Sequence, residues 1–259
     1  MARWSKFYLV RIEFLGFRYH GWQVQPGLKS VEGMMNKTFS FIFQHNNFKI
    51  LGAGRTDAKV SAEDFAFELF VNESIDIIKL LRELNHNLPF DIRAKSVEEI
   101  DADFNIIQHS KVKEYHYYFS YGEKSHAYNA PFIINFIEEL DIALMTKAAQ
   151  LFKGTHNFKR YAYKPTGHTI FEREIINSSI EKNTKYTNSF TPENTYVFKV
   201  SSKGFLRHQV RLMAGTLIDL GRGLITFKEF QQTLIDYNGN TMSHNAPSSG
   251  LSLHKVSFN

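Results

Sequence analysis

A chain of 259 residues with 43% hydrophobic and 15% aromatic residues can bury one large core or two ordinary ones. Its net charge of +5 leans towards a polyanionic partner, and the absence of cysteine excludes disulfides, thiolate zinc sites, iron–sulfur clusters and cysteine nucleophiles. The opening MARWSKFYLVRIEF lacks a signal-peptide core, and no apolar run nears the roughly 18 residues that span a membrane, so the expected setting is a reducing cytoplasm.

The first strand is FYLVRIEF, in which Tyr8, Val10, Ile12 and Phe14 alternate onto one face. SVEGMMNKTFSFIF reads as a helix capped by Ser30, with Glu32 suited to its positive end and Val31, Met34, Met35 and Ile42 as the apolar stripe. FKIL is a short buried strand, and a glycine-rich turn follows it. DFAFELFV alternates again, placing Phe65, Phe67, Leu69 and Val71 together. SIDIIKLLREL predicts a helix with Ile75, Ile78, Leu81 and Leu84 inward; NHNLPF is a loop and DIRAKSV a strand. The order is β-α-β-β-α-β.

The second half repeats that order without repeating residues. KEYHYYFSY is a strand with Tyr115, Tyr117, Phe119 and Tyr121 on one face, and DIALMTKAAQLFKG a helix closed by Gly154. FEREIINSSIE and TYVFKVSS are strands, and FLRHQVRLMAGTLIDLG is a helix ending at Gly221. A further helix, TFKEFQQTLIDYN, carries a Thr226–Glu229 capping box, and LSLHKVSF is the last strand. Segments 106–112 and 182–194 read as a hinge and a polar loop. The expected fold is α+β, with two halves of split βαβ units, 1–107 and 108–259, each with a largely antiparallel sheet and helices over one face.

Chemistry is concentrated in three stretches. GAGRTDAKVSA, residues 52–62, puts Arg55 two positions before Asp57 in a glycine-rich connection between strands. It has neither the Gly-Lys-Ser/Thr of a phosphate loop nor a dinucleotide fingerprint. On spacing alone, a solvated turn with Asp57 in an Asx-turn accounts for it. In KEYHYY, Tyr115 and Tyr117 share a strand face, either as core residues or as a platform on which a base could stack. In KGFLRHQVR, Arg207 and Arg211 stand one helical turn apart, either as a solvated basic face or with one guanidinium aimed at a carboxylate.

Taken together, these blocks resemble the tRNA pseudouridine synthase A (TruA) family along almost the whole chain. GAGRTDAKVSA resembles the family signature AGRTDAGVHA. YHGWQVQPGLKSVEGMM is similar to its YxGWQxQ…SVQ segment, NHNLPFDI to its NxxLPxDI, and KEYHYY to its Tyr-x-Tyr strand. LMTKAAQLFKGTHNF, FLRHQVRLMAGTLIDLG and NAPSSGLSLHKV are similar to its later blocks.

The resemblance implies two ferredoxin-like βαββαβ halves, a homodimer with a basic cleft, tRNA as partner, and no cofactor or metal. The reaction implied is isomerisation of uridine to pseudouridine at positions 38 to 40 of the tRNA anticodon stem-loop. Asp57 falls on the catalytic aspartate, as nucleophile or as base in a glycal-type route. Arg211 falls on the arginine paired with it, Arg55 on the arginine that enters the stem, and Tyr115 on the tyrosine that stacks on the target base. Lys203 and Arg207, with Lys6, Arg18, Lys113 and Lys159, are the expected backbone contacts.

The chain departs from the family pattern at several places. Lys59 stands for a glycine, Ser61 for a histidine, and RYAYKPTGHTIFEREI differs from the usual segment. A lysine tolerates positive φ less well than glycine and adds a charge beside the site. A paralogue acting on another RNA site, or a non-catalytic RNA-binding protein of the same fold, are the alternatives these departures leave open.

Overall fold

The computed structural model describes residues 4–258. The chain divides into two compact units, Met1–Lys111 with Leu253–Asn259, and Val112–Ser252, and its fold is α+β with largely antiparallel strands.

The first unit runs β1 (Lys6–Phe14), α1 (Val31–Phe43), β2 (Lys49–Gly52), β3 (Ser61–Val71), α2 (Ile77–Asn87) and β4 (Ile92–Glu99), the order expected from the sequence. Its strands lie β4-β1-β3, with β2 also on β3. All these pairings are antiparallel, and the register sets Tyr8 opposite Leu69, Val10 opposite Phe67 and Ile12 opposite Phe65. Alternation therefore delivers one wholly buried face, which Met35 and Phe39 of α1 and Leu80 and Leu84 of α2 cover. Ser30 caps α1 by accepting from the Gly33 amide at 3.2 Å.

One expected helix face holds only in part: Leu84 is buried and Ile75 and Leu81 are half-buried. Ile78 is 84% exposed, and the buried residues of α2 are Leu80 and Leu84. The helix starts at Ile77, capped by Asp76, which accepts from the Lys79 amide at 3.0 Å, and the pair four residues apart, Leu80 and Leu84, forms its buried side. In α1 the buried stripe is Val31, Met35, Thr38 and Phe39, with Met34 and Ile42 only half-buried.

The second unit contains β5 (Ser110–Tyr121, from Val112 on), β6 (Ile134–Phe136), α3 (Ile142–Gln150), β7 (Gly154–Asn157), β8 (Glu172–Lys182), β9 (Thr195–Ser202), α4 (Gln209–Gly221) and α5 (Phe227–Ile235). The last strand, β10 (Leu251–Phe258), starts in this unit, and from Leu253 its residues belong to the first, where it neighbours β3. The second unit's strands lie β5-β9-β8-β7, with β6 parallel to β5. Its core is aromatic: Phe152 meets Tyr161 and Phe230 edge-on at 5.5 and 5.3 Å. The Tyr161 hydroxyl is satisfied at 2.6 Å by Thr233 of α5. The Thr226–Glu229 capping box is present.

Two helices here are shorter than the apolar pattern suggested. α3 ends at Gln150, because the next three amides bond back three residues in a tightened last turn; Gly154, at φ +106, opens β7 instead of closing the helix. α4 begins at Gln209, because His208 sits at φ 60 and breaks the helical path. Strands β6 and β7 are too short to stand out in the sequence. No helix among the described residues is long and apolar enough to cross a membrane.

Candidate active site

The connection between β2 and β3 carries Arg55 and Asp57, and the segment just after β1 forms its bed. Gly16 begins a short 3-10 turn, Gly16–Arg18, and its amide donates to the Ser61 hydroxyl at 3.0 Å. A β-carbon on Gly16 would lie 2.0 Å from the Val60 carbonyl oxygen. The Lys59 amide donates to the Tyr19 carbonyl at 2.9 Å. Gly21, at φ +84, is so close that a β-carbon would stand 2.2 Å from the Thr56 carbonyl oxygen. Trp22 stacks on Phe65 with ring centres 4.2 Å apart and lies over Gly52, where a β-carbon would be 2.5 Å from the indole nitrogen. The turn itself is closed by the Val60 amide on the Asp57 carbonyl at 3.2 Å.

This packing gives YHGWQ its physical meaning. The glycines let backbone lie on backbone, and the tryptophan fixes the strand from which the turn leaves. Asp57 is thereby held half-buried, while Arg55 points outward, exposed and without an ion pair among the described residues. Thr56, between them, buries a hydroxyl with no hydrogen-bond partner among the described residues. The departure at Lys59 has not relaxed the backbone: its φ is 67, a left-handed conformation carried by a lysine. Ser61 does the holding described above through its hydroxyl.

The second unit carries the other expected site residues. Tyr115 sits half-buried on β5 and meets Phe205 edge-on at 5.4 Å, which places the Lys203–Arg207 segment beside it. Lys113, on the same strand face, has its pKa lowered by burial. Tyr117 is fully buried; burial pushes its phenol upward, and the Arg211 charge nearby works in the opposite direction. Arg211 is fixed on α4 by Ala246, whose carbonyl accepts from its Nε at 2.8 Å and whose amide donates to its carbonyl at 3.2 Å.

Arg207 and Arg211 do not share a helix side. The left-handed His208 puts Arg207 ahead of α4, where its guanidinium lies 5.3 Å from the Tyr163 ring centre and its carbonyl accepts from the Tyr163 amide. His208 stacks on the same ring at 4.3 Å with planes 5° apart, and Asn245 Nδ2 donates to its Nδ1 at 2.8 Å. Lys203 is exposed, with Glu174 3.9 Å away. Among the remaining expected RNA contacts, Lys6 and Arg18 are each paired at 2.7 Å, with Glu99 and Asp91, and Lys159 is exposed.

Tyr163, Asn245 and Gly21 organise these residues and were not singled out by sequence reasoning. Only the NAPSSGL and YHGWQ blocks around the last two carried a signal. The first unit offers a carboxylate on a rigid glycine-backed turn with an exposed arginine two residues before it; the second unit, taken by itself, offers a strand tyrosine and two arginines on separately braced segments. A carboxylate held on such a turn suits covalent or general-base work, and the exposed Arg55 beside it suits an anionic substrate.

Residues 148–259 match a family model described as tRNA pseudouridine synthase, which sets the class. Among curated relatives, a tRNA pseudouridine synthase A 1 from Protochlamydia amoebophila is 30% identical over 97% of this chain and 96% of its own length. A tRNA pseudouridine synthase A from Thermodesulfovibrio yellowstonii is 30% identical over 96% and 98% of the two chains, and one from Solibacter usitatus 31% over 83% and 87%. The chain belongs to the tRNA pseudouridine synthase A family, whose members are isomerases.

Proposed function

We propose that this protein converts uridine to pseudouridine in the tRNA anticodon stem-loop, at positions 38 to 40, with Asp57 as the nucleophile. The observation that carries the proposal is the construction of the Asp57 turn. Two backbone-on-backbone glycine contacts, a stacked tryptophan and a serine clamp hold one half-buried carboxylate in place. Such rigidity is costly for a surface loop and suits a group that must meet a reacting carbon at a fixed angle.

The reaction is an isomerisation, so atoms balance without any cofactor. The Asp57 carboxylate bonds C1′ as the uridine N1–C1′ bond breaks, the base turns, C5 bonds to C1′ as the carboxylate–C1′ bond breaks, and the C5 proton leaves while N1 takes up a proton. In a glycal-type route the same carboxylate removes the sugar C2′ proton as the N1–C1′ bond breaks and returns it to C2′ as C5 bonds to C1′. Arg211 falls on the arginine that the family resemblance pairs with the aspartate. Arg55 holds the flipped-out nucleotide, whose unstacking costs a few kcal/mol, and Tyr115 stacks on its base. Lys203 and Arg207 take phosphates. The family resemblance supports a homodimer acting in the cytoplasm.

The test is pseudouridine mapping on RNA from a host lacking the gene, treated with wild-type protein or Asp57→Asn. New pseudouridines at positions 38 to 40 with wild type only are expected, with RNA binding unchanged in the variant. Equal modification by both proteins refutes the role of Asp57, and modification elsewhere refutes the assigned positions.

A further inference from the structure

Lys59 is costly where it stands. Its φ of 67 is a conformation that glycine adopts freely and L side chains adopt rarely. Its amide is used by Tyr19, but any residue except proline would supply that amide. The side chain is exposed and forms no ion pair among the described residues; its ammonium lies 5.5 Å from the ring centre of Phe17. A strained lysine whose charge meets only an aromatic ring and no carboxylate among the described residues points to an anionic ligand outside the protein.

Its neighbours are of matching chemistry. Phe17 is 38% exposed and Phe90 fully so, at 111% of the reference. Arg18, between Phe17 and Tyr19, keeps 59% of its side chain in solvent while bonding Asp91 at 2.7 Å. Asp91 follows Phe90 directly, accepts from the Tyr19 hydroxyl at 2.7 Å, and its carbonyl accepts from the Leu15 amide at 2.9 Å. One carboxylate thus ties the Phe90 loop to the Gly16–Arg18 turn. Exposed rings interleaved with cations take nucleotides, the rings the bases and the cations the phosphates.

We infer that Lys59, with Arg18 and the rings of Phe17 and Phe90, grips the RNA strand beside the Asp57 turn, Lys59 taking a phosphate and the rings an unstacked base. This rests on the proposed reaction only in naming RNA as the ligand. Four full-length proteins would be compared: wild type, Lys59→Gly, Lys59→Ala and Lys59→Arg. The measurements are thermal midpoint, affinity for an unmodified tRNA transcript across a salt series, and pseudouridine yield. Lys59→Gly is expected to melt about 2 °C higher. It should bind tRNA roughly three- to ten-fold more weakly, with a salt slope shallower by about 1. Lys59→Ala should lose the same affinity without the gain in midpoint, and Lys59→Arg should keep affinity and slope.

Wild-type affinity and slope in Lys59→Gly overturn the inference, even if every protein makes pseudouridine. The shallower slope sustains it, even if no protein makes any, in which case the proposed reaction is what fails.

Discussion

Gly21 and Thr56 touch backbone to backbone: a β-carbon at 21 would stand 2.2 Å from the Thr56 carbonyl oxygen and 3.1 Å from the Asp57 carbonyl carbon. Lys59 is tied to the same segment through Tyr19, so residues 19–21 touch or bond the turn near both its ends. Gly21→Ala therefore cannot relax locally. The turn must move, or residue 21 must leave φ +84, and Val31 loses the carbonyl of residue 21 that its amide now uses at the start of α1. A loss of at least about 2 kcal/mol is expected in urea unfolding, from positive-φ strain together with the clash. Pseudouridine formation should fall more than tRNA affinity, because displacement of Asp57 damages the chemical step and spares the phosphate contacts. Equal loss of binding and turnover would show that the glycine serves the fold and not the aim of the carboxylate.

Tyr117 offers a cleaner test of an internal polar group. Its ring is fully buried, its hydroxyl has no hydrogen-bond partner among the described residues, and Arg211 is the charge felt there. An orphaned buried hydroxyl costs about 1–3 kcal/mol of desolvation. Tyr117→Phe keeps the ring and removes that cost, so the thermal midpoint should rise, by about 2–4 °C per kcal/mol recovered. Activity should be unchanged if the hydroxyl is only a consequence of strand alternation. A variant that melts higher but turns over slowly would instead assign the Tyr117 hydroxyl a part in positioning the Arg211 guanidinium.

The strands were legible because alternation is a local signal. Tyr8, Val10 and Ile12 face Leu69, Phe67 and Phe65 as their spacing requires. The turn around Asp57 was legible only as a motif. What makes it rigid is Gly16, Gly21 and Trp22, distant in sequence and silent in any periodicity. The same limit explains Arg207. Its spacing to Arg211 is helical, yet His208 leaves the helix for a left-handed path that its stacking on Tyr163 accompanies, and no single-residue propensity announces that. Ile78 shows a nearer limit: α2 has more apolar residues than one face holds, and packing buries Leu80 and Leu84 and leaves Ile78 in solvent.

Asp91 gives the first unit a pH dependence that can be checked without RNA. Burial alone would raise its pKa, but the hydrogen bonds from Arg18 and Tyr19 and the Arg18 charge outweigh it, so the net shift is downward. The folded state therefore binds its proton less readily than the unfolded chain does. Stability from the ionised Asp91 is fully present above the ordinary carboxylate value of about 4 and is lost as pH falls through that value and below it. Asp91→Asn keeps one acceptor but turns an amide N–H₂ towards a donor, either Arg18 Nε or the Tyr19 hydroxyl. At pH 7 the variant should be less stable, though only modestly because solvent screens the exposed Arg18 end of the pair. By pH 3 the gap to wild type should have narrowed, because wild type is losing the same interaction by protonation. A gap constant from pH 7 to pH 3 would mean that the cost arises from repacking around Tyr19 and not from the charge. If the charge is what ties Phe90 to the Gly16–Arg18 turn, the variant should also bind tRNA more weakly at pH 7, with the change confined to this patch and pseudouridine still formed at saturating RNA.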